Sequence, residues 1–187
     1  MFGIDIGISV SSISCITDKN EVLDTRVIFG NKQDKNEWRR VMRMAEIICN
    51  EVELICKGHD DMVIRRFVGL EEPVYPYRTM NPRSYFNMSC LYALIRKRLV
   101  YRKFIIYSIN PVSVKATAKA LAFKKKTRLP LVLAKQGRLT KKGMIRAYFK
   151  VVGHKPIYSN QVGRETLADS FFIARTAIDR RRVGLFE

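Results

Sequence analysis

The sequence lacks acidic residues across about half of its length. No Asp or Glu occurs from Pro73 to Arg164, a stretch of 92 residues that contains 21 Lys and Arg. The remaining 95 residues are nearly neutral, with 14 basic and 17 acidic side chains, and the net charge of the chain is +18. A positive field of this size favours a polyphosphate partner. We favour nucleic acid over an anionic membrane surface, because we find no basic amphipathic anchor helix.

Long apolar runs and paired cysteines are also missing. No run approaches the ~20 apolar residues that a membrane span needs. Strand-like sequence starts at Phe2, so we expect no signal or transit peptide and a cytoplasmic location, in a bacterial-type or virus-encoded setting. The four cysteines form no C-x-x-C pair: Cys15, Cys49, Cys56 and Cys90. We expect reduced core thiols and no zinc site.

The pattern of apolar residues and turn signals predicts one α/β domain over residues 1–187. The predicted strands are 2–10, 11–17, 22–29, 61–72 and 103–109, the first three forming an antiparallel meander. The predicted helices are one capped by Asp34 and closed by Gly58, then 84–100, one that starts at Asn110-Pro111, 141–151, and 165–181. Residues 122–140 are basic and poorly periodic. The order βββ-α-β-α-β-α…α implies one mixed sheet flanked by helices.

A lone carboxylate, Asp5, lies within the first apolar strand, where aspartate is disfavoured and costly to bury unless it is paired or bound to a metal. Glu71 and Glu72 end the fourth strand, and Glu165 and Asp169 share one face of the last helix. If strands one and four are neighbours, these acids form a cluster. Bound divalent cations would then reduce the repulsion between the carboxylates. Two Mg²⁺ ions about 4 Å apart would suit phosphodiester cleavage.

Each acid also has a structural interpretation. In that case Asp5 is a turn or strand-end acid exposed to water, Glu165 is a first-turn acid that is favourable to the helix dipole, and Asp169 is the partner of a neighbouring arginine. The long acid-free stretch around them favours the metal-binding interpretation of the whole set.

Five short motifs occur in a fixed order along the chain: "GIDIG", "VGLEE", "NPVSVK", "TKKGMIRAYF" and "ETLADSFFIA". In these motifs the chain resembles the RuvC-type Holliday junction resolvases, which include poxvirus and mitochondrial branches and have the RNase H-like fold. The resemblance covers essentially the whole chain. It implies an RNase H-like mixed five-stranded sheet, with three antiparallel strands followed by two parallel ones, flanked by helices.

The resemblance also implies which acids bind metal. Asp5 is the first-strand ligand, Glu71 the fourth-strand ligand, with Glu72 as the alternative, and Asp169 the last-helix ligand. The metal implied is Mg²⁺, as two ions, with Mn²⁺ as a substitute.

The chain departs from the family at Thr166, because the family usually has an acid three residues before its last aspartate. Glu165 is one residue earlier and one methylene longer than Asp, and we expect it to supply the fourth ligand. The other interpretation is an impaired site. Lys115 and Lys142 resemble the family's basic residues near the scissile phosphate, and a solvated basic face is the alternative for both.

The function implied by the resemblance is a metal-dependent endonuclease that nicks four-way DNA junctions symmetrically. A two-fold junction calls for a homodimer. The predicted helix 84–100 is the interface candidate, with Phe86, Met88, Leu91, Leu94 and Ile95. Tyr75 and Tyr77 are candidates for stacking on unpaired bases. Two alternatives remain open: an RNase H- or transposase-type nuclease on the same fold, and a catalytically silent nucleic-acid-binding protein.

Overall fold

The structure is a computed structural model, and it describes residues 1–31, 33–59, 66–73, 81–123, 134–135 and 138–184. The strands are β1 (Phe2–Asp5), β2 (Val10–Ile16), β3 (Val22–Phe29), β4 (Phe67–Glu71), β5 (Ile105–Ile109), β6 (Ala134–Lys135) and β7 (Arg138–Leu139). The helices are α1 (Glu37–Gly58), α2 (Pro82–Tyr101), α3 (Pro111–Ala122), α4 (Lys141–Val152) and α5 (Gln161–Val183). Among the described residues, no helix has the length and apolar character that crossing a membrane requires.

The central sheet confirms the predicted fold class. Its strand order is β3-β2-β1-β4-β5. The first three strands pair antiparallel, and β4 and β5 run parallel to β1. The short β6-β7 ladder lies within the stretch that the sequence left without regular structure.

Helices cover both faces of this sheet. On one face α1 and α2 pack against an apolar layer from the strands. On the other face α5 lies directly on the sheet and is covered in turn by α3 and α4. Because α5 is enclosed on both sides, it is apolar around most of its circumference, and its buried residues include Phe171, Phe172, Ile173, Ala177 and Ile178.

The first strand is shorter than predicted. β1 ends at Asp5, and the Ser11 hydroxyl bonds both the N–H (2.9 Å) and the C=O (2.8 Å) of Gly7. This local bonding replaces ladder bonds with a turn. A Cβ on Gly7 would lie 2.2 Å from the Val10 carbonyl oxygen, so the turn needs glycine. Asp5 is therefore a strand-end residue rather than a mid-strand one.

Two helix starts also differ from the prediction. Asn36 caps α1 by accepting from the Arg39 N–H at 3.0 Å, whereas Asp34 bonds the Asn36 N–H outside the helix. The last helix, α5, begins four residues earlier than predicted, at Gln161, with an Asn160 cap. Glu165 is therefore beyond the first turn, so the interpretation as a first-turn acid is wrong.

Candidate active site

Asp5 and Glu71 lie side by side at one end of the sheet. Ile4 of β1 pairs in parallel register with Leu70 of β4, so the next residue of each strand ends the strand at the same level. The two carboxyl groups are close enough to form a hydrogen bond when one of them is protonated. Because successive strand residues face opposite sides of a sheet, both acids are on the side away from Ile4 and Leu70. That side is the one covered by α5.

Small residues let α5 approach the sheet closely. A Cβ on Gly3 would lie 2.0 Å from the Ser170 carbonyl oxygen, and one on Gly69 would lie 2.9 Å from the Ala177 Cβ. On β2, the Ser14 hydroxyl is 2.7 Å from the Ser170 hydroxyl. Side chains of ordinary size at these positions would push the helix outward. The glycines therefore bring the N-terminal half of α5 against the ends of β1 and β4.

Asp169 on α5 completes a cluster of three carboxyl groups. Burial, together with the charges of Asp169 and Glu71, raises the pKa of Asp5 well above its usual range. Burial and Asp169 raise the pKa of Glu71 to about 7. Burial raises the pKa of Asp169 to about 6, although Lys141 and Lys115 oppose the increase. Raised pKa values of this kind mark a site where negative charge is concentrated with little solvent.

Glu165 is the fourth acid near this cluster. It is 9% exposed and lies one helical turn before Asp169, whose pKa its charge helps to raise. Its two carboxylate oxygens have separate partners: the Gln161 amide donates at 2.8 Å, and the Lys141 ammonium is at 3.4 Å. The side chain is thus held at the site by contacts from both α5 and α4.

Thr166, the position where the resemblance expects an acid, does not present its side chain to the cluster in this structure. The Thr166 hydroxyl donates to the carbonyl oxygens of Val162 (2.9 Å) and Gly163 (3.2 Å) in its own helix. Its carbonyl oxygen accepts from the Ser12 hydroxyl at 2.7 Å, which ties α5 to β2. Thr166 therefore contributes to helix docking.

Two lysines face the carboxylates from the neighbouring helices. Lys115 is in the second turn of α3, which begins at the Asn110 cap directly after β5, and its charge acts on Glu71 and Asp169. Lys141 is the first residue of α4, after the Thr140 cap.

The sequence favoured Lys142, but of these two adjacent lysines it is Lys141 that forms an ion pair with Glu165 and acts electrostatically on Asp5 and Asp169. Sequence reasoning missed it because two adjacent lysines match the motif equally well. The signal that distinguishes them is the cap: Thr140 accepts from the Gly143 N–H, which fixes Lys141 as the first helical residue.

Of the two acids left open at the end of β4, Glu71 is the one close enough to Asp5 to form a hydrogen bond. Glu72 follows the strand, where its N–H donates to the Ile109 carbonyl at 3.0 Å. The predicted stacking residues Tyr75 and Tyr77 lie outside the described residues.

The donor chemistry of the cluster fits hard divalent cations. Four carboxyl groups supply oxygen ligands, which Mg²⁺ prefers. Among the described residues, no group of three or more His, Cys, Asp or Glu side chains has the spacing that a bound metal ion requires. A cation that bound here would compete with protons for these carboxylates.

A cleft of about 730 Å³ lies elsewhere, lined by the C-terminal part of α2 and by Glu46 of α1. Its walls include Leu94, Val100 and Tyr101, and its rim is mainly basic. α2 leads from there into the start of β5, so the cleft lies at the opposite end of the sheet from the carboxylates. It does not contribute to the candidate site.

Comparisons with known proteins support the fold. No family model matches the sequence, and no curated protein sequence matches it significantly. Among solved structures, RuvC of T. thermophilus in complex with a Holliday junction substrate matches with a TM-score of 0.66 and 17% identity, covering 98% of this chain and 94% of that one. A second structure of Thermus thermophilus RuvC matches with a TM-score of 0.62 and 18% identity, covering 98% and 97%. The chain therefore has the RNase H-like fold of these proteins.

Proposed function

We propose that this protein is a metal-dependent, structure-selective endonuclease that resolves four-way DNA junctions by symmetric phosphodiester hydrolysis. The observation that carries the proposal is the meeting of Asp5, Glu71 and Asp169 at one end of an RNase H-like sheet, in a chain of net charge +18. The structural match to RuvC, one example of which is bound to a Holliday junction, supports the choice of substrate.

The acids have the role of metal ligands in this proposal. Asp5, Glu71, Asp169 and Glu165 would hold two Mg²⁺ ions, which supply an activated water and stabilise the leaving oxygen when bound. Mn²⁺ would substitute, because it also accepts oxygen ligands.

The lysines act on the substrate. Lys141 and Lys115 face the carboxylates from two helices, so a phosphate placed over the cluster would meet both ammonium groups. They would offset the repulsion between the acids and the phosphodiester and orient the scissile phosphate. Lys142, on the exposed surface beside them, would contact the backbone nearby. The ion pair of Lys141 with Glu165 and its electrostatic effect on Asp169 support its role at the cluster.

A homodimer is part of the proposal, because symmetric cleavage of a two-fold junction needs two active sites related by a two-fold axis. The exposure of the side chains on α2 supports only part of the proposed interface. Leu91 and Ile95 are fully buried in the core of their own subunit, whereas Phe86 is 62% exposed. Phe86 is thus the best anchor for a second subunit. Analytical ultracentrifugation at micromolar concentration tests this, and a fully active monomer would contradict it.

Cleavage assays on three labelled substrates test the function: a four-way junction, a linear duplex of the same sequence and an RNA–DNA hybrid, each with Mg²⁺. We expect paired nicks in the junction and ligatable ends. Preferential cleavage of the hybrid would instead indicate an RNase H-type enzyme on the same fold. Binding of the junction without cleavage of any substrate would indicate a silent binding protein. The proposed relation to the poxvirus and mitochondrial branches concerns ancestry and does not affect this test.

A further inference from the structure

A small cavity of about 120 Å³ lies where β3 ends and α1 begins. Phe29, Gly30 and Met44 form its apolar part, and the arginines Arg40 and Arg43 line it from α1. The cavity is separate from the carboxylate cluster, and none of the motifs that indicate a nuclease includes its residues.

The positive charges of the two arginines are not balanced by a direct ion pair. Within the described part of the chain, neither Arg40 nor Arg43 forms an ion pair within 4 Å. The Arg40 Nε is buried and has no hydrogen-bond partner among the described residues. A buried N–H without an acceptor is unfavourable, and an anion in the cavity would supply one.

The acids near the cavity are engaged by other groups. Asp34 also lines it, but its carboxylate accepts from the Asn36 N–H at 3.0 Å and lies 4.0 Å from the Arg39 Nε. Glu37 acts electrostatically on Arg40. Its carboxylate, however, accepts hydrogen bonds from Arg83 (2.8 Å) and Asn87 (2.9 Å) of α2. The acids therefore leave the positive charge of the arginines largely uncompensated.

The cavity is at the same end of the sheet as the carboxylates. β3 runs parallel to β1, two strands away, and Phe29 is its last residue. The Phe29 ring lies 6.1 Å from the Tyr158 ring, which packs against Gly163, two residues before Glu165. These contacts connect the end of β3 to the first turn of α5, the helix that carries Glu165 and Asp169. The ends of β3 and β1 are two strands apart, on the order of 10 Å, and Arg40 and Arg43 lie on α1, which covers the other face of the sheet.

We propose that Arg40 and Arg43 form a subsite for a backbone phosphate of the DNA whose scissile bond lies at the carboxylates. The proposal rests on the nuclease function above. The subsite would fix the position of one junction arm relative to the cleavage site, without reading its sequence.

The test compares junction binding by the wild-type protein and three variants in metal-free buffer over a range of salt concentrations. The variants are the double variant R40A/R43A, the charge-preserving R40K/R43K, and K57A. Lys57 is a matched control, because it is an exposed cation at the other end of the same helix. For R40A/R43A we expect about tenfold weaker binding and a salt slope smaller by about 0.9, the contribution of one phosphate. K57A should match the wild type, and R40K/R43K should recover part of the affinity.

A second measurement identifies the phosphate. Junctions with a single neutral methylphosphonate at successive backbone positions are bound to the wild type and to R40A/R43A. At one position the substitution should weaken binding by the wild type and leave binding by R40A/R43A unaffected.

Three results would overturn the subsite. One is equal binding by R40A/R43A and K57A while the wild type binds and cuts junctions. Another is a set of methylphosphonate positions that affects both proteins equally. The third is stabilisation of the wild type, but not of R40A/R43A, by inorganic phosphate with no difference in DNA binding, which would indicate a site for a free anion. If the wild type neither binds nor cuts DNA, the proposed function itself fails, and that outcome is distinct from the other three.

Discussion

The two faces of the central sheet are made by alternate residues of the same strands, yet they differ in almost every property. The face under α1 and α2 is a dry apolar layer, in β1 and β4 made of the fully buried Phe2, Ile4, Val68 and Leu70. The face under α5 presents, from the same two strands, Gly3, Asp5, Gly69 and Glu71. The first face provides burial of large side chains, and the second provides close approach and concentrated charge. Stability and the candidate chemistry are therefore separated by a single step along each strand.

The separation has an energetic consequence. Each large side chain buried on the α1/α2 face contributes about 1.5–3 kcal/mol. The carboxylates on the α5 face work against folding, because they are desolvated and close to each other. Active sites commonly carry such a cost, which the rest of the fold offsets. Substitutions on the two faces should therefore have opposite signatures in activity and stability.

The largest effect should come from removing a carboxylate. We expect Asp5→Asn to lower junction cleavage by about a thousandfold, since metal-ion catalysis contributes several kcal/mol. Binding of the junction should be retained or tighter, because a charge that repels the phosphate is lost. Glu72→Gln is the matched control at the same end of the sheet and should cleave normally. Cleavage by Asp5→Asn at the wild-type rate would remove the basis for the proposed site.

The next prediction compares one substitution on each face of the sheet. Gly3→Ala puts a Cβ 2.0 Å from the Ser170 carbonyl oxygen, so α5 must move away from the sheet. We expect about 3 kcal/mol or more of lost stability and loss of cleavage in the protein that stays folded. Leu70→Ala on the other face should also cost about 2–5 kcal/mol, through the cavity it leaves.

The distinction between these two variants lies in the activity of the folded fraction. Urea unfolding gives the stability, and cleavage is then measured at low temperature, where both variants are folded. Leu70→Ala should cleave at nearly the wild-type rate, whereas Gly3→Ala should not. Equal activity in the two would mean that the approach of α5 does not position Asp169.

Much of this arrangement could be predicted from the sequence. The order of the elements along the chain and the mixed sheet followed from periodicity and from the resemblance, and the acids Asp5, Glu71 and Asp169 came from the motifs. The end of β1 could not be predicted, because residues 6–10 alternate like a strand. What ends the strand is the Ser11 hydroxyl, which bonds the backbone of Gly7 and competes with the ladder.

The environment of the site was less predictable than its acids. Adjacent residues on a helix point about 100° apart, so the choice between Lys141 and Lys142 depends on which residue caps α4. The partners of Glu165 come from two helices, and its contact with Lys141 joins positions that are far apart in the chain. Such long-range contacts leave no local pattern in a single sequence.

A third prediction concerns the fourth acid. Glu165→Gln should lower cleavage by about 100-fold, somewhat less than loss of a central ligand. Thr166→Ala should cleave normally, because its hydroxyl bonds its own helix. The decisive comparison is Thr166→Asp: if it raises the rate by orders of magnitude while Glu165→Gln has no effect, the site lacks a ligand in its natural form. Single-turnover rates at several Mg²⁺ concentrations separate weaker metal binding from slower chemistry.

A fourth, smaller effect distinguishes the two adjacent lysines. Lys141→Ala removes the ammonium that faces Glu165 and Asp169, and we expect about tenfold slower cleavage, the loss of one charged contact. Lys142→Ala should weaken binding slightly and leave the saturated rate unchanged. The measurement is the single-turnover rate at saturating protein concentration. A larger rate effect from Lys142→Ala would restore the assignment made from the sequence motif.

The last prediction measures the cost of the α5 face through pH. The pKa of Glu71 is raised to about 7 and that of Asp169 to about 6, so between roughly pH 4 and 7 the folded state binds more protons than the unfolded state. Stability without divalent cations should therefore fall as the pH rises through this range.

The Asp169→Asn variant should lose part of this fall in stability, and it should be more stable than the wild type by on the order of 2 kcal/mol at about pH 8. The wild type is the control for this variant. Burial also lowers the pKa of the Met1 amino group, but this contribution to the pH dependence is the same in both proteins and cancels in their difference. The measurement is urea unfolding at about pH 5.5 and 8, with and without Mg²⁺. Mg²⁺ should stabilise the wild type chiefly at the higher pH, because protons no longer compete for the carboxylates there. If the stability of the wild type depends on neither pH nor Mg²⁺, the acids on this face do not destabilise the folded protein and do not bind the cation.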